Sequence, residues 1–275
     1  MAIRLVVSDV DGTLVTRSKV ITPAALDAIR RLRESGIKFT VISSRPPQAI
    51  RVVGNVVGLT DPVPAFNGGL LVSPDLTTIL REKFIEQIVV ERILQQLSEA
   101  EVDIWVYTDT DWYVPALNAP KVEHEIHSVR YEPSVTRDFT HIRKDRVCKI
   151  VGVSEDYDNL AAVEHRLQHE FRGAASVSRS QKYYLDFTHP DANKGEGILL
   201  LSELLDIHTS EIAVIGDMEN DTYMFKRAGL SIAMGNATPE VQAQAQYITT
   251  TNEEEGFANA MEKFILSFRE SATAD

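Results

Sequence analysis

Short apolar runs alternate with amphipathic stretches along most of this chain, and the runs end in polar residues. Ile3 to Val7, interrupted only by Arg4, is too short for a helix and reads as a parallel-sheet strand buried on both faces. Asp9, Asp11, Gly12 and Thr13 stand at its carboxyl end. Next come Leu26, Ile29 and Leu32 at helical spacing, behind Thr22-Pro23 and ahead of Gly36. That order supplies an N-cap, a first-turn proline and a C-terminal stop, so a helix is predicted. Ile37 to Ile42 is a second apolar strand and delivers Ser43, Ser44 and Arg45 at its end. A strand-helix-strand unit of this kind implies a right-handed crossover. Pro62 to Phe66 reads as a third short strand running into Asn67-Gly68-Gly69, and Leu70 to Val72 with Ser73-Pro74-Asp75 suggests a small hairpin.

The pattern changes after Arg81. Val89, Val90, Ile93, Leu94 and Leu97 mark one side of a helix, followed by strand-like Val102 to Tyr107 and Trp112 to Val114. Asn118 to Arg146 is charged and reads as irregular. Val147 to Val153 is β-branched and alternating, Leu160, Val163, Leu167 and Phe171 recur at helical spacing, and Ala175 to Val177 and Tyr183 to Phe187 are short strands. The first pattern then resumes. A helix opens at Asn193-Lys194-Gly195, strand Ile212 to Ile215 ends in Gly216-Asp217-Met218-Glu219-Asn220-Asp221, and a helix from Thr222 is expected to stop at Gly229. Strand Ser231 to Met234, a helix capped by Thr238-Pro239, strand Tyr247 to Thr249 and a last helix follow, with Asn252 and Glu255 at capping-box spacing. The expected fold is α/β: a doubly wound parallel sheet formed by residues 1–81 and 188–275, with residues 82–187 inserted as an α+β domain.

The full chain of 275 residues is longer than an ordinary single domain, in keeping with two. Twenty-eight basic against 40 acidic residues, a formal charge of −12, argue against a nucleic-acid partner, which would need a basic patch. A small anionic substrate fits if a metal and a few local cations reverse the potential in one cleft. Cys148 is the single cysteine and lies in the apolar run Val147 to Val153, so a reduced, structural thiol is expected. The apolar run before Asp9 is far shorter than that of a signal peptide, and no stretch approaches a membrane span. A cytoplasmic protein without a membrane partner is expected.

Asp9 and Asp11 are two residues apart, so in extended backbone both carboxylates would point the same way and converge, which requires a cation. Gly12 permits the sharp turn that a metal and phosphate site needs. The same run could also serve an acidic turn or a calcium loop. Order separates these readings. Asp9, Asp11, Ser43, Lys194 at a helix start, Asp217, Asn220 and Asp221 all fall at strand ends of a sheet that binds ligands there. Carboxylate-bearing turns with a lysine and a hydroxyl suit magnesium-assisted phosphoryl transfer, because magnesium takes oxygen ligands and keeps water and phosphate in its shell.

Asp9-Val10-Asp11-Gly12-Thr13, Ser43, Lys194 and Gly216-Asp217-x-x-Asn220-Asp221 together resemble the four motifs of the haloacid dehalogenase superfamily of phosphatases. The insert between the second and third motifs, with Asn67-Gly68-Gly69 before it and Gly235-Asn236-Ala237 after the fourth, resembles the Cof-type branch with a large α+β (type IIB-like) cap. The resemblance implies a magnesium-dependent phosphatase of a small phosphorylated metabolite, a sugar phosphate among the candidates, acting through an aspartyl phosphate. It implies Asp9 as nucleophile and Asp11 as acid and base. Ser43 and Lys194 would hold the phosphate, with Arg45, Asn67, Gly68 and Asn220 also facing the substrate. Mg2+ would be bound by the carboxylates of Asp9 and Asp217 and the backbone oxygen of Asp11, with Asn220 and Asp221 in support. Ser44 and Met218 stand where relatives usually carry glycine. A phosphotransferase or mutase using the same intermediate, and a low-turnover binding or regulatory protein, are the alternative readings. The insert is expected to act as a cap that selects the substrate.

Other conspicuous residues have plainer readings. His165 and His169 lie off the apolar stripe of their helix and are assigned to a solvated face, and His124 and His127 lack a third ligand. Trp112 and Tyr113 are assigned to packing, and Arg179 and Lys182 to a loop between insert strands.

Overall fold

The computed structural model describes residues 2–267. In chain order its first strands and helices are β1 (Leu5–Asp9), α1 (Pro23–Glu34), β2 (Lys38–Ile42), α2 (Pro47–Val57), β3 (Val63–Ala65), β4 (Leu70–Val72) and β5 (Ile79–Glu82). There follow α3 (Gln87–Glu99), β6 (Asp103–Thr108), β7 (Trp112–Val114), α4 (Val122–Val129), β8 (Ser134–Val135), β9 (Val147–Val153), α5 (Tyr157–Glu170), β10 (Ser176–Gln181) and β11 (Tyr184–Thr188). The last group is α6 (Lys194–Leu205), β12 (Ile212–Gly216), α7 (Thr222–Phe225), β13 (Leu230–Ala233), α8 (Pro239–Gln242), β14 (Tyr247–Ile248) and α9 (Gly256–Met261). Contacts divide the chain into two units, Met1–Arg81 with Asn193–Asp275, and Glu82–Ala192.

The first unit is built on a five-stranded parallel sheet in the order β14-β13-β12-β1-β2. Every residue of β1 and β12 is buried, which is why Leu5 to Val7 and Ile212 to Ile215 read as apolar runs, with Ser8 and Asp9 buried at the polar end of β1. One face packs Leu5, Val7 and Val214 against Ile198 and Leu201 of α6 and Met224 of α7. On the other, α1 buries Ala25, Ala28, Ile29 and Leu32, and Phe39 of β2 meets Phe257 of α9 edge to face with ring centroids 5.8 Å apart. Thr22 accepts the Ala25 N–H at 3.2 Å, so α1 starts at the cap that its sequence carries. The three short strands β3, β4 and β5 form a separate sheet, with β3 and β4 antiparallel.

The second unit has a six-stranded sheet, β10-β11-β9-β6-β7-β8. Helices α3 and α5 bury Val90, Ile93, Leu97, Leu160, Val163 and Leu167 against Val106, Ile150, Leu185 and Phe187 of that sheet. Trp105, Tyr107, Trp112 and Tyr184 form an aromatic cluster, with Tyr107 stacked on Trp112 at 5.5 Å. Trp112 is therefore a packing residue, whereas His165 and His169 are exposed on α5.

Four local expectations need correction. Arg179 lies within β10 rather than in a loop between insert strands, because the strand continues past its apolar residues through the polar run Ser178 to Gln181. The charged stretch after Asn118 contains α4, held by Val122 and Val129, which are buried and seven residues apart; two anchors two turns apart are too sparse for an apolar stripe. Helix α7 ends at Phe225 rather than Gly229. The capping box near the C-terminus is Thr251 with Glu254, one residue earlier than Asn252 with Glu255, and Glu255 takes a left-handed φ of 58° that begins a new helix.

Candidate active site

Sheet register assembles the candidate residues. Asp9 pairs across the ladder with Ile42, and Ser8 with Ile215, so Asp9, Ser43 and Asp217 leave three adjacent strands at nearly the same level. Parallel strands with helices on both sides bind ligands at this end. Lys194 is the first residue of α6, whose N-cap Asn193 accepts the Glu196 N–H at 3.0 Å. A cation at a helix N-terminus opposes the helix dipole, so Lys194 does not stabilise its own helix. It is instead buried between carboxylates, with Nζ 2.5 Å from Asp9 Oδ1 and 2.6 Å from Asp221 Oδ1. Burial alone would lower its proton affinity, but Asp221 and Asp9 outweigh this and keep it charged.

Asp221 is fully engaged. Its second oxygen, Oδ2, accepts the backbone N–H groups of Asp217 and Met218, each at 2.8 Å, and so fixes the turn that carries Asp217. The Asp217 carboxylate in turn accepts Thr13 Oγ1 at 3.1 Å and Asn236 Nδ2 at 3.1 Å. Gly12, with φ +79°, lies so close that a Cβ there would fall 2.3 Å from Asp217 Oδ2, so only glycine fits. Asp9, Asp217 and Asp221 each offer an oxygen within 4.8 Å of the others. Burial pushes the Asp9 carboxyl well up, against the pull of Lys194 and with help from the other aspartates. Burial, then Asp221, push Asp217 up to about 6.

Asp11 departs from the expected convergence. The strand ends at Asp9, and the chain turns at once, with the Leu14 N–H donating to the Val10 carbonyl at 3.1 Å, so the alternation of extended backbone no longer applies. The Asp11 carboxylate has its own partners: Arg45 Nε at 2.7 Å, Arg45 Nη2 at 2.6 Å and Lys19 Nζ at 2.6 Å. Burial acts to raise its pKa, but these hydrogen bonds and charges outweigh burial and hold Asp11 below the usual carboxylate range. Ser43 is buried, and its Oγ accepts the Arg45 N–H at 3.1 Å. Asn67, at φ 58°, donates its N–H to the Ser43 carbonyl at 2.8 Å and accepts Asn220 Nδ2 on its side chain at 3.1 Å. Gly68 packs its backbone on Asn193 and Gly197 at the head of α6. The ten residues singled out from the sequence thus form two linked groups: Asp9, Lys194, Asp217 and Asp221 in the floor, and Asp11 with Arg45 beside Ser43, Asn67, Gly68 and Asn220. Ser44 and Met218 need no glycine, since neither adopts a positive φ.

Three buried carboxylates around one ammonium leave negative charge uncompensated. All the donors are oxygens, and the upward pKa shifts of Asp9 and Asp217 mark the cost of keeping them ionised with Lys194 as the sole buried cation beside them among the described residues. This set fits a hard divalent ion such as magnesium.

A family profile described as haloacid dehalogenase-like hydrolase matches residues 6–261. The chain belongs to that family. A Haemophilus influenzae protein provisionally named a phosphatase is 30% identical over 269 residues, covering 96% of this chain and 98% of its own. A 5-amino-6-(5-phospho-D-ribitylamino)uracil phosphatase of Bacillus subtilis is 25% identical over 280 residues, covering 94% of this chain and 96% of its own. A crystal structure of a haloacid dehalogenase-like hydrolase from Bacteroides thetaiotaomicron superposes with a TM-score of 0.87 at 29% identity, over 95% of this chain and 99% of that one. The family's fold and its hydrolase class therefore extend over both units.

Reading the motifs of this haloacid dehalogenase-like hydrolase alone misses three contacts. Thr13 and Asn236 lie inside the quoted runs, but spacing does not reveal that both touch Asp217. Lys19 has no motif signal; it reaches Asp11 from a turn closed by the Thr16 N–H to the Val20 carbonyl at 2.9 Å, with its own backbone at φ 61°.

Proposed function

We propose that this enzyme, by family a hydrolase of phosphate monoesters, is a cytoplasmic, magnesium-dependent phosphatase of a small phosphorylated metabolite and works through an aspartyl phosphate on Asp9. The observation that carries this reading is the convergence of Asp9 and Asp217, at the ends of adjacent parallel strands, with Lys194 at the start of α6 and Asp221 in the turn after β12. Oxygen-only donors beside a buried ammonium suit a phosphate and its metal, and phosphate esters hydrolyse so slowly unaided that positioning and charge neutralisation must supply most of the acceleration.

Asp9 attacks phosphorus as the bond to the leaving alkoxide breaks, and Asp11 gives its proton to that leaving oxygen. Asp11 then takes a proton from the water that attacks the aspartyl phosphate, releasing inorganic phosphate and restoring Asp9. The hydrogen bonds from Arg45 and Lys19 keep Asp11 ionised, the form from which the base step starts, but lower its proton affinity; substrate must draw these cations away for Asp11 to take up from solvent the proton that the acid step delivers. Ser43 and Lys194 hold the phosphoryl oxygens, with Asn67, Gly68 and Asn220 beside them, and Asp221 keeps Lys194 and the Asp217 turn in place. Magnesium, held by the carboxylates of Asp9 and Asp217 and the backbone oxygen of Asp11, would offset charge on the phosphoryl oxygens. The relative named for a phosphorylated ribitylaminouracil is consistent with a small metabolite as substrate.

Phosphate release from a generic aryl phosphate tests the reading. Chelation should abolish release and added magnesium should restore it; full activity after exhaustive chelation would remove the metal from the mechanism.

A further inference from the structure

Asn236 follows β13 and spans two segments that carry oxygen donors of the site. Its Nδ2 donates to Asp217 Oδ2 at 3.1 Å and to the Gly12 carbonyl at 2.9 Å. Its Oδ1 accepts the Asn252 N–H at 3.0 Å. A carboxylate and a carbonyl can only accept and a backbone N–H can only donate, so these partners permit a single orientation of the amide. Asn252 is buried, and its own Nδ2 donates to the Val15 carbonyl at 2.9 Å. The two side chains thus tie together the turn after β1, the turn after β12, the turn after β13 and the short helical turn that begins at Asn252.

The chemistry of this tie is specific. Asp217 is gripped by neutral donors on both oxygens, Thr13 on Oδ1 and Asn236 on Oδ2. Neutral donors fix the direction of a carboxylate without cancelling the charge that a metal needs, whereas lysine or arginine there would compete with the ion. Gly12 is the residue after Asp11, so one amide sets the spacing between the Asp217 carboxylate and the Asp11–Gly12 backbone.

We propose that Asn236, braced by Asn252, is a positioning residue that holds the Asp217 carboxylate and the Asp11–Gly12 backbone at the separation magnesium requires. This rests on the metal reading above. Removing the partner of a metal-ligating carboxylate costs about 10- to 100-fold in metal affinity. Magnesium alone, titrated calorimetrically into the chelated protein, is the probe. Asn236→Ala should weaken binding by that factor and Asn252→Ala by less. Saturating magnesium should return most of the Asn236→Ala kcat, so the defect sits in the magnesium requirement. Asn259→Ala is the control, because it strips bonds to Thr250 Oγ1 and the Glu254 carbonyl from the same helical turn without touching the site. It should leave magnesium affinity unchanged. Wild-type protein that takes up no magnesium overturns the metal reading and this inference with it. Wild-type affinity in Asn236→Ala, or an equal loss in Asn259→Ala, overturns this inference alone.

Discussion

The Asp217 carboxyl is the residue at which stability and function oppose each other. Burial, then Asp221, push its folded pKa up to about 6, so between the ordinary carboxylate range and that value the folded state holds more protons than the unfolded one. Stability that this group contributes at low pH is therefore lost as pH rises from about 4 to about 6, by up to roughly 3 kcal/mol. In chelated protein, Asp217→Asn should abolish that component. The stability difference between variant and wild type, from denaturant unfolding, should move in favour of the variant as pH rises across this window. A difference independent of pH would show that Asp217 ionises normally without metal. At this scale the sequence was highly legible for residue types and less so for their directions. Asp9, Lys194 and Asp217 could be placed from order alone, because each ends a strand or begins a helix. The separate partners of Asp11 could not, because they depend on a turn in which Lys19, eight residues on, folds back to it.

Turns between elements impose a second kind of constraint. Gly12 and Gly36 both have positive φ, +79° and +73°, but a Cβ at Gly12 meets Asp217 whereas nothing lies within 4 Å of one at Gly36. Gly36→Ala should therefore cost only about 1 kcal/mol of backbone strain. Gly12→Ala should cost more and also impair catalysis, since Asp217 must move. Thermal unfolding and phosphate release on both variants check this, and equal behaviour of the two would mean that the turn after β1 accommodates a side chain. Most elements were legible because apolar runs and caps agreed, as at Thr22-Pro23 for α1. Helix α4 was not, because its two buried valines leave the rest of its sequence polar. The capping box lies one residue before the position that Asn252 and Glu255 predict, because Asn252 looks like a cap but spends its side chain on Val15.

At the scale of the whole molecule, the candidate chemistry lies within the unit of residues 1–81 and 193–275, while Glu82–Ala192 contributes none of the clustered carboxylates. Selectivity among substrates is proposed to reside in the second unit. Arg179 in β10 is paired with Glu164 at 2.7 Å, and Lys182 is exposed beside it. Arg179→Ala and Lys182→Ala should reorder KM values across a panel of phosphorylated metabolites while leaving acetyl phosphate hydrolysis nearly unchanged. A uniform loss on every substrate would place specificity elsewhere. The change of pattern near Arg81 has a physical reason, because a parallel sheet and a largely antiparallel one, mixed only at β7–β8, demand different apolar spacing.

The central claim is a covalent phosphoryl group on Asp9, and trapping it is the most direct measurement. Wild-type enzyme quenched during turnover, reduced with borohydride and mapped by mass spectrometry should carry the reduced residue at position 9, and Asp9→Asn should show neither the modification nor more than a trace of turnover. Rapid turnover with no modification at Asp9, or near-wild-type activity in a homogeneous Asp9→Asn preparation, would contradict the account.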